Sequence, residues 1–197
     1  MNQLSGPIGS MAAHQADPLA LMQVGASSAK PPVIVVMGVC GCGKSTVGAQ
    51  LAAALGLAFL EGDTLHPTSN VALMAAGVAL SDADRAGWLH TLSDRLGDAC
   101  LAGTGLVMSC SALKRAYRDI LRKRAPDLHF VCLHGDHDLL ASRMAARTGH
   151  FMPLSLLISQ LATLEVPDPD EKAQFFDVAT RPEVIVTKVT ERFSLPN

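Results

Sequence analysis

The chain has 197 residues, of which 49% are hydrophobic and 17% charged, with a formal net charge of −2. This length and composition are typical of one globular domain with a sizeable core, and they exclude an intrinsically disordered chain. A pI of about 6.4 indicates no overall basic field, which argues against nucleic acid or an anionic membrane as a partner. No apolar run approaches the roughly 18 residues of a membrane span.

Residues 1–32 differ in composition from the rest of the chain. They are rich in Ala, Ser, Gly and Gln, have Asp17 and Lys30 as their only charges, and end in two prolines. They also lack the basic region and apolar core of a secretory signal. We interpret them as a flexible N-terminal extension, followed by one domain over residues 33–197. The five cysteines match neither a disulfide framework nor a zinc site, and free thiols indicate a reducing cytoplasm.

Strand-like and helix-like segments alternate along this domain. The expected strands lie near residues 33–37, 57–60, 105–110, 128–133 and 175–178. The expected helices lie near residues 44–55, 67–76, 81–101, 113–124, 136–146, 153–164 and 182–193. Such alternation predicts a parallel sheet with crossover helices. The predicted fold class is therefore α/β, a three-layer α/β/α domain around five parallel strands.

The first expected strand leads into a glycine-rich loop that fits the P-loop pattern. A Gly, four free positions and Gly-Lys-Ser occupy residues 38–45. The backbone N–H groups of such a loop, together with the start of the next helix, hold phosphate oxygens. We expect Lys44 to reach the β- and γ-phosphates of ATP, and the Ser45 hydroxyl to ligate Mg²⁺. The expected nucleotide-binding residues are Gly38, Val39, Cys40, Gly41, Cys42, Gly43, Lys44, Ser45 and Thr46.

Two polar residues follow the second expected strand, at the edge where open α/β sheets bind their ligands. The Asp63 carboxylate is suited to accept the proton of an attacking hydroxyl or to hold a Mg²⁺-bound water. An ordinary helix-capping role for Asp63 is equally consistent with its position. His66 suits a hydrogen bond to a polar substrate, and equally a solvated position at a helix start. Trp88, the only tryptophan, is expected to be a packing anchor.

Basic side chains recur at helical spacing in two places. Lys114, Arg118 and Arg122 are four residues apart and share one helix face, which could meet an anionic substrate. A solvated basic face is the alternative interpretation. Arg143 and Arg147 are also four residues apart and could close over a transferring phosphate. A surface helix end, where arginine suits the helix dipole, is the alternative there.

Together these segments resemble the gluconate kinases, a family of small P-loop kinases related to shikimate and adenylate kinases. The phosphate loop alone would indicate any of many NTPases. The Gly-Asp and His-Pro pairs at residues 62–67, the Cys-Ser-Ala-Leu-Lys run at 110–114 and the Gly-His-Phe run at 149–151 are more selective together. The matching segments also include residues 80–89, with Arg85 and Trp88, and residues 160–165.

The resemblance implies a nucleoside-monophosphate-kinase-like P-loop fold and transfer of the ATP γ-phosphoryl group to the 6-hydroxyl of D-gluconate. The product would be 6-phospho-D-gluconate, in the breakdown of carbohydrate acids. The family also implies a homodimer and a mobile lid near residues 147–164. The catalytic residues it implies are Lys44, Asp63, Arg143 and Arg147, and the substrate-binding residues are Asp63, His66, Lys114 and Arg118.

Two departures from the family pattern bear on the site. Cys40 and Cys42 stand where the family usually has serines, which predicts sensitivity to oxidation. Gly87 stands where proline commonly precedes the tryptophan, which is expected to loosen the local helix. The alternatives to gluconate phosphorylation are a shikimate-kinase-like enzyme, a nucleoside monophosphate kinase, and a non-catalytic ATP-binding regulatory module.

Overall fold

The computed structural model describes residues 30–146 and 154–194. In this part of the chain, five strands form one parallel sheet in the order β2-β3-β1-β4-β5. The strands are β1 (Val33–Met37), β2 (Phe59–Glu61), β3 (Leu106–Ser109), β4 (His129–His134) and β5 (Ala173–Asp177). The predicted five-stranded parallel sheet is confirmed, and the strand that leads into the phosphate loop lies at its centre.

Seven helices connect these strands within the described ranges. They are α1 (Lys44–Leu55), α2 (Thr68–Ala75), α3 (Asp82–Ala102), α4 (Arg115–Arg122), α5 (His137–Ala145), α6 (Leu154–Thr163) and α7 (Pro182–Ser194). Helix α1 packs against α7, and α3 packs against α4. These two groups of helices cover the sheet, which gives the expected three-layer α/β/α architecture.

The core lies on both faces of β1. Every residue of Val33–Met37 is buried, because the strand has a neighbour on each side and helices on each face. Val47 and Leu51 of α1 and Leu89 and Leu92 of α3 are at most 2% exposed and join the same apolar cluster. Burying one such aliphatic side chain contributes about 1.5–3 kcal/mol, so this packing holds the phosphate loop on a rigid support.

Local capping explains where the long helices begin and end. Ser81 and Asp84 form a capping box at the start of α3, in which the Ser81 Oγ accepts from the Asp84 N–H. The Ser81 N–H donates in return to the Asp84 carboxylate over 2.8 Å. Gly56 ends α1 with a φ of 67°, as its position after the apolar run predicts. Asp136 lies at the predicted start of α5, but its side chain makes no capping hydrogen bond.

Three element boundaries differ from the sequence-based expectation. Strand β2 begins at Phe59 because the Leu57 N–H still donates to the Ala52 carbonyl of α1, over 2.9 Å. Helix α4 begins at Arg115 because Ala112 has a φ of 45° and Lys114 is extended. Strand β5 is longer at its start than expected and begins at Ala173.

The carboxyl ends of all five strands meet at one edge of the sheet, because the strands are parallel. The phosphate loop follows β1 there. The 3₁₀ turn Gly62–Leu65 follows β2, residues 110–114 follow β3, and residues 178–182 follow β5. This edge therefore brings together the phosphate loop and the segments that carry Asp63, His66 and Lys114.

Candidate active site

The phosphate loop has a backbone that only glycine can adopt without strain. Gly38, Gly41 and Gly43 have φ values of 140°, 80° and 92°, in the region that side-chain-bearing residues avoid. A Cβ on Gly38 would lie 2.4 Å from the Leu133 carbonyl oxygen of β4. The loop is therefore seated directly against the end of the neighbouring strand.

Some N–H groups of the loop are already used inside the protein. The N–H of Gly38 donates to the Ser111 carbonyl over 3.3 Å, and that of Cys42 to the Val39 carbonyl over 3.4 Å. The N–H of Cys40 donates to Gln160 Oε1 over 2.7 Å. These three amides stabilise the loop, so the predicted role of Gly38, Cys40 and Cys42 in binding phosphate does not run through their N–H groups in this conformation.

The start of α1 supplies the remaining donors. The first hydrogen bond of this helix runs from the Val47 N–H to the Gly43 carbonyl over 3.0 Å. The N–H groups of Lys44, Ser45 and Thr46 precede that bond and have no acceptor within the helix. With the helix dipole behind them, these three N–H groups are suited to bind an anion such as phosphate.

Lys44 lies folded over the loop, where its Nζ donates to the Val39 carbonyl oxygen over 3.1 Å. Burial alone would lower the pKa of Lys44, but nearby acidic groups, first Cys42 and then Asp63, raise it by more. Lys44 therefore remains an ammonium group at neutral pH.

Asp63 is exposed in the 3₁₀ turn after β2. The turn is held from two sides at Gly62: its carbonyl accepts from Trp88 Nε1 over 2.9 Å, and its N–H donates to Ser109 Oγ over 3.2 Å. A Cβ on Gly62 would lie 2.2 Å from the Ser109 carbonyl oxygen. Because its neighbour is fixed in this way, Asp63 is placed at the carboxyl edge of the sheet, the edge that also carries the phosphate loop.

His66 stacks on the same tryptophan. The two rings lie 3.9 Å apart at an interplanar angle of 16°. Asn70 Nδ2 lies 3.4 Å from His66 Nδ1 and donates to the Asp84 carbonyl over 2.8 Å. Burial lowers the pKa of His66, which leaves a neutral imidazole at neutral pH. Trp88 is thus a packing anchor, as expected, and it also positions both the Asp63 turn and His66, which the sequence did not reveal.

We call the flank of the phosphate loop that carries Asp63 and His66 the acceptor side. Lys114 lies at its rim, and its side chain is 31% exposed. Its Nζ donates to the Asp82 carboxylate over 2.8 and 2.9 Å, and this bond raises the pKa of Lys114. The Tyr117 hydroxyl also donates to Asp82. Arg85 lies over the Tyr117 ring at 5.7 Å and contributes to lowering the pKa of His66. Sequence reasoning treated Arg85 only as part of a matching segment, although it gives the acceptor side a second cation.

The structure does not bring Arg118 to the acceptor side, which corrects its predicted role as a substrate-binding residue. Its side chain is fully buried, and its guanidinium forms a two-point ion pair with the Glu171 carboxylate over 2.7 and 2.8 Å. It also donates to the carbonyls of Ala112 and Glu165, over 3.1 and 3.0 Å. With these donors occupied, Arg118 holds the backbone that precedes Lys114. Arg122 donates to the same Glu171 carboxylate over 2.5 Å.

Arg143 lies on the opposite flank of the phosphate loop from Asp63. Its guanidinium donates to the Val178 carbonyl after β5 over 2.8 Å. It lines a cavity of about 230 Å³ between the loop and the start of α7, with Thr46, Thr180 and Pro182 among the other lining residues. Arg147, the second predicted lid arginine, lies outside the described residues, as do residues 148–153.

The loop thiols are less accessible than the sequence suggested. Cys40 is 8% exposed and Cys42 is 2% exposed, and the Cys40 Sγ lies 3.4 Å from the Met144 Sδ of α5. Burial raises the pKa of Cys110 to about 12 and that of Cys132 to about 11. Because oxidants react with exposed thiolates, burial of these side chains argues for slow oxidation of the loop in this conformation.

Residues 30–146 and 154–194 contain no group of three or more His, Cys, Asp or Glu side chains arranged to hold a metal ion. The donor set at the loop nevertheless fits Mg²⁺, which takes few protein ligands and binds mainly through nucleotide oxygens and water. The Ser45 hydroxyl at the start of α1 is the protein ligand available there. Within the same residues no helix is long and apolar enough to cross a bilayer.

A parallel sheet with a glycine loop after its central strand, a half-buried lysine ammonium in that loop and a carboxylate after the edge strand β2 is typical of the class of P-loop kinases. Residues 33–167 match the family described as the AAA domain. The chain is 48% identical to the gluconokinase of Gluconobacter oxydans over 164 residues, which cover 83% of this chain and 92% of that protein. The chain belongs to the gluconokinase family.

Solved structures agree with this assignment. A gluconokinase from Sinorhizobium meliloti superposes with a TM-score of 0.73 at 46% identity, covering 83% of this chain and 96% of that one. A sugar kinase from Janibacter superposes with a TM-score of 0.79 at 42% identity, covering 82% and 93%. The predicted fold and the family resemblance are both confirmed.

Proposed function

We propose that this protein transfers the γ-phosphoryl group of ATP to the 6-hydroxyl of D-gluconate, giving 6-phospho-D-gluconate and ADP. The observation that carries the proposal is an exposed carboxylate, Asp63, in a turn that the Trp88–Gly62 hydrogen bond fixes at the same edge of the sheet as the phosphate loop. It occurs in a chain that is 48% identical to a gluconokinase. The activity makes the protein a phosphotransferase with an alcohol acceptor.

Asp63, Lys44 and Ser45 each have a separate role in the phosphoryl transfer. Asp63 accepts the proton of the acceptor hydroxyl while that oxygen bonds to the γ-phosphorus, and the bond from phosphorus to the bridging oxygen breaks to release ADP. Lys44 stabilises the charge on the phosphoryl oxygens as the bond breaks. Mg²⁺, with Ser45 as its protein ligand, supplies further charge neutralisation when it is bound with the nucleotide.

The acceptor side suits a hydroxylated anion. Neutral His66 can exchange hydrogen bonds with sugar hydroxyls, and Lys114 and Arg85 bring two cations to the same flank. A carboxylate is well matched to such cations. We propose that these three side chains, together with Asp63, recognise gluconate.

The nucleotide side suits the adenosine part of ATP. The cavity beside Arg143 continues from the glycine loop, where the phosphates bind, toward residues 178–182. We propose that Arg143 forms one wall for the base or ribose, which differs from the catalytic role first expected for it. Arg147 stays the candidate for stabilising the transferring phosphoryl group.

Three properties of the whole protein are proposed from the family resemblance: a homodimer, a cytoplasmic location, and a lid near residues 147–164, of which the α6 part is packed on the core in this conformation. The proposed domain layout is an extension over residues 1–32 and a kinase domain over residues 33–197. Light scattering of the purified protein tests the dimer, and a monomer at micromolar concentration would contradict it.

A substrate panel tests the activity. ADP release is measured with ATP, Mg²⁺ and, in separate reactions, gluconate, shikimate, AMP or no acceptor, and the product is identified by mass spectrometry. We expect ADP and a phosphorylated acid only with gluconate. Turnover with shikimate or AMP alone would replace the proposed acceptor, and ATP binding without acceptor-dependent ADP release would indicate a regulatory module.

A further inference from the structure

Gln160 of α6 contacts the phosphate loop although it lies 120 positions further along the chain. Its Oε1 accepts the Cys40 N–H over 2.7 Å, a short and direct hydrogen bond. The helix that carries it is fixed by Leu156 and Leu157, which are at most 4% exposed, and Leu161 packs against the core. The contact therefore belongs to the packed fold.

This bond fixes which way the side-chain amide faces. A backbone N–H can only donate, so the oxygen of Gln160 must face Cys40 and the nitrogen must face away. The Nε2 group has two N–H donors, and the structure shows no acceptor for either of them within residues 30–146 and 154–194. Gln160 is half-buried, so an unused donor pair lies next to the phosphate loop.

The position of Cys40 in the loop indicates which chemical group can accept hydrogen bonds from the Gln160 Nε2 donors. The carbonyl of the preceding residue, Val39, accepts the Lys44 ammonium, and the following residue, Gly41, lines the cavity beside Arg143. Gln160 thus contacts the loop between the lysine that reaches for the phosphates and the proposed nucleotide cavity. An anionic phosphoryl oxygen is the chemical partner that fits two neutral donors at this place.

We propose that Gln160 binds the phosphoryl group that is transferred: its Oε1 is anchored on Cys40, and its Nε2 donates to a γ-phosphoryl oxygen. A neutral amide adds hydrogen bonds there without repelling Lys44. Because the contact forms with the γ-phosphate and not with ADP, it acts on transfer more than on nucleotide binding. The inference rests on the proposed kinase activity, but not on which acceptor is used.

Two variants separate the two ends of the amide. Gln160→Met has a similar length and removes both hydrogen bonds. Gln160→Glu keeps an oxygen for the Cys40 N–H but replaces the donors with a second carboxylate oxygen. Gln174→Glu is the matched control, because it makes the same change at a half-buried glutamine near the amino end of β5, away from the loop. Each is measured for turnover with gluconate, for slow ATP hydrolysis without acceptor, and for ADP affinity by calorimetry.

We expect both Gln160 variants to lose ~10²-fold in turnover and in acceptor-free ATP hydrolysis, as for removal of one preorganised donor. ADP affinity of the Met variant should stay within about twofold of the wild type, since its contact is absent from the ADP complex. The control should resemble the wild type.

Other outcomes overturn the proposal. Wild-type turnover in the Glu variant would mean that only the Cys40 bond matters. A parallel loss of ADP affinity and melting temperature in the Met variant would mean a purely structural role. Failure of the wild type to use gluconate would concern the proposed function alone, because acceptor-free hydrolysis still reports on Gln160.

Discussion

The two flanks of the phosphate loop differ in how their functional side chains are held in place. On the acceptor side, Asp63 and His66 are held by hydrogen bonds and ring stacking around a single buried indole, that of Trp88. On the nucleotide side, Arg143 lines a cavity together with residues of β5's carboxyl end and the start of α7. The acceptor side is thus a network of directed polar contacts, whereas the nucleotide side is a cavity in whose described lining Arg143 is the charged residue.

This difference predicts that selectivity for the acceptor and affinity for ATP depend on opposite flanks of the phosphate loop. A site of positioned hydrogen-bonding groups rejects the wrong acceptor strongly, because a mismatched molecule leaves buried polar groups unpaired. A cavity lined by side chains of mixed polarity tolerates small changes of shape. We therefore expect substitutions on the acceptor side to change turnover and acceptor choice, and substitutions on the nucleotide side to change the KM for ATP.

Asp63→Asn should give the largest effect. The change keeps the size of the side chain but removes the proton acceptor, so turnover should fall by ~10²–10⁴-fold, the usual range for a positioned base. Calorimetry should find ATP affinity little changed, because the phosphate loop is untouched. Asp98→Asn, at an exposed position on α3, is the control. A variant whose only defect is weak ATP binding would contradict the base assignment.

Glu171→Gln tests the support beneath the acceptor side. It leaves the buried Arg118 guanidinium without its counter-charge, and breaking such a pair typically costs about 3–5 kcal/mol in the free energy of unfolding. Urea denaturation measures that loss, and the KM for gluconate should rise while that for ATP stays unchanged. Asp119→Asn, which removes an exposed partner of Arg122, should have a small effect. Equal losses in both variants would remove the special role of the buried pair.

The same pair predicts acid sensitivity. Burial would raise the pKa of Glu171, but hydrogen bonds from Arg118 and Arg122 lower it from its ordinary 4.5 to about 2. A lowered carboxylate pKa stabilises the fold above pH 4.5, and this stability is lost as the pH falls toward 2. The wild type should lose stability over that window, whereas Glu171→Gln should lack this part of the pH dependence.

Arg143→Met should act on the nucleotide side alone. We expect the KM for ATP to rise by ~10-fold, equivalent to about 1.4 kcal/mol, because the cavity loses a charged wall and its bond to Val178. The KM for gluconate should stay the same in steady-state kinetics. Arg95→Met, on the exposed face of α3, is the matched control. A loss confined to turnover would instead support the catalytic role first expected for Arg143.

His66 should give a smaller, pH-dependent effect. Burial lowers its pKa below the ordinary 6.5, so the neutral imidazole predominates at pH 6.5 and protonation increases as the pH falls further. Protonation adds a cation beside Arg85 and removes an acceptor, so the KM for gluconate should rise as the pH falls below 6.5. His66→Gln should lose this dependence. An identical pH profile in the variant would assign the effect to another group.

Removal of residues 1–29 should have the smallest effect of all. Among residues 30–146 and 154–194, the first backbone bond from this end of the chain to the sheet runs from the Leu106 N–H to the Pro32 carbonyl over 3.1 Å, and the truncation retains it. Melting temperature and turnover should therefore match those of the full chain. A large decrease in melting temperature would show that the segment packs on the domain or on a partner subunit.

Sequence reasoning succeeded where a residue's role depends on its near neighbours. The phosphate loop, the start of α3 and the end of α1 are all set by residues within a few positions, so their patterns were sufficient. The sheet followed from the alternation of apolar segments, and the side of the sheet that carries Asp63 followed from its place after a strand.

It failed where the role depends on a distant partner. Arg118 shares a helix face with Lys114, which suggested substrate binding. In the fold its guanidinium is buried in an ion pair with Glu171, 53 positions later. Trp88 hydrogen-bonds to Gly62, which lies 26 positions earlier in the chain. Gln160 hydrogen-bonds to Cys40, which lies 120 positions earlier. No local pattern encodes such pairings, because they arise only when the strands have assembled.

The central position of β1 has a consequence for the nascent chain. This strand is synthesised first, but it pairs with β3 and β4, which begin only at Leu106 and His129. Gly38 needs both neighbours, because its N–H bonds to Ser111 and its Cα lies against Leu133. A ribosome-bound fragment that ends before β3 therefore exposes an apolar strand with two open edges, and one that ends before β4 still leaves one edge open. The phosphate loop, although it follows the first of the five strands, therefore acquires its full support only after β4 has been synthesised.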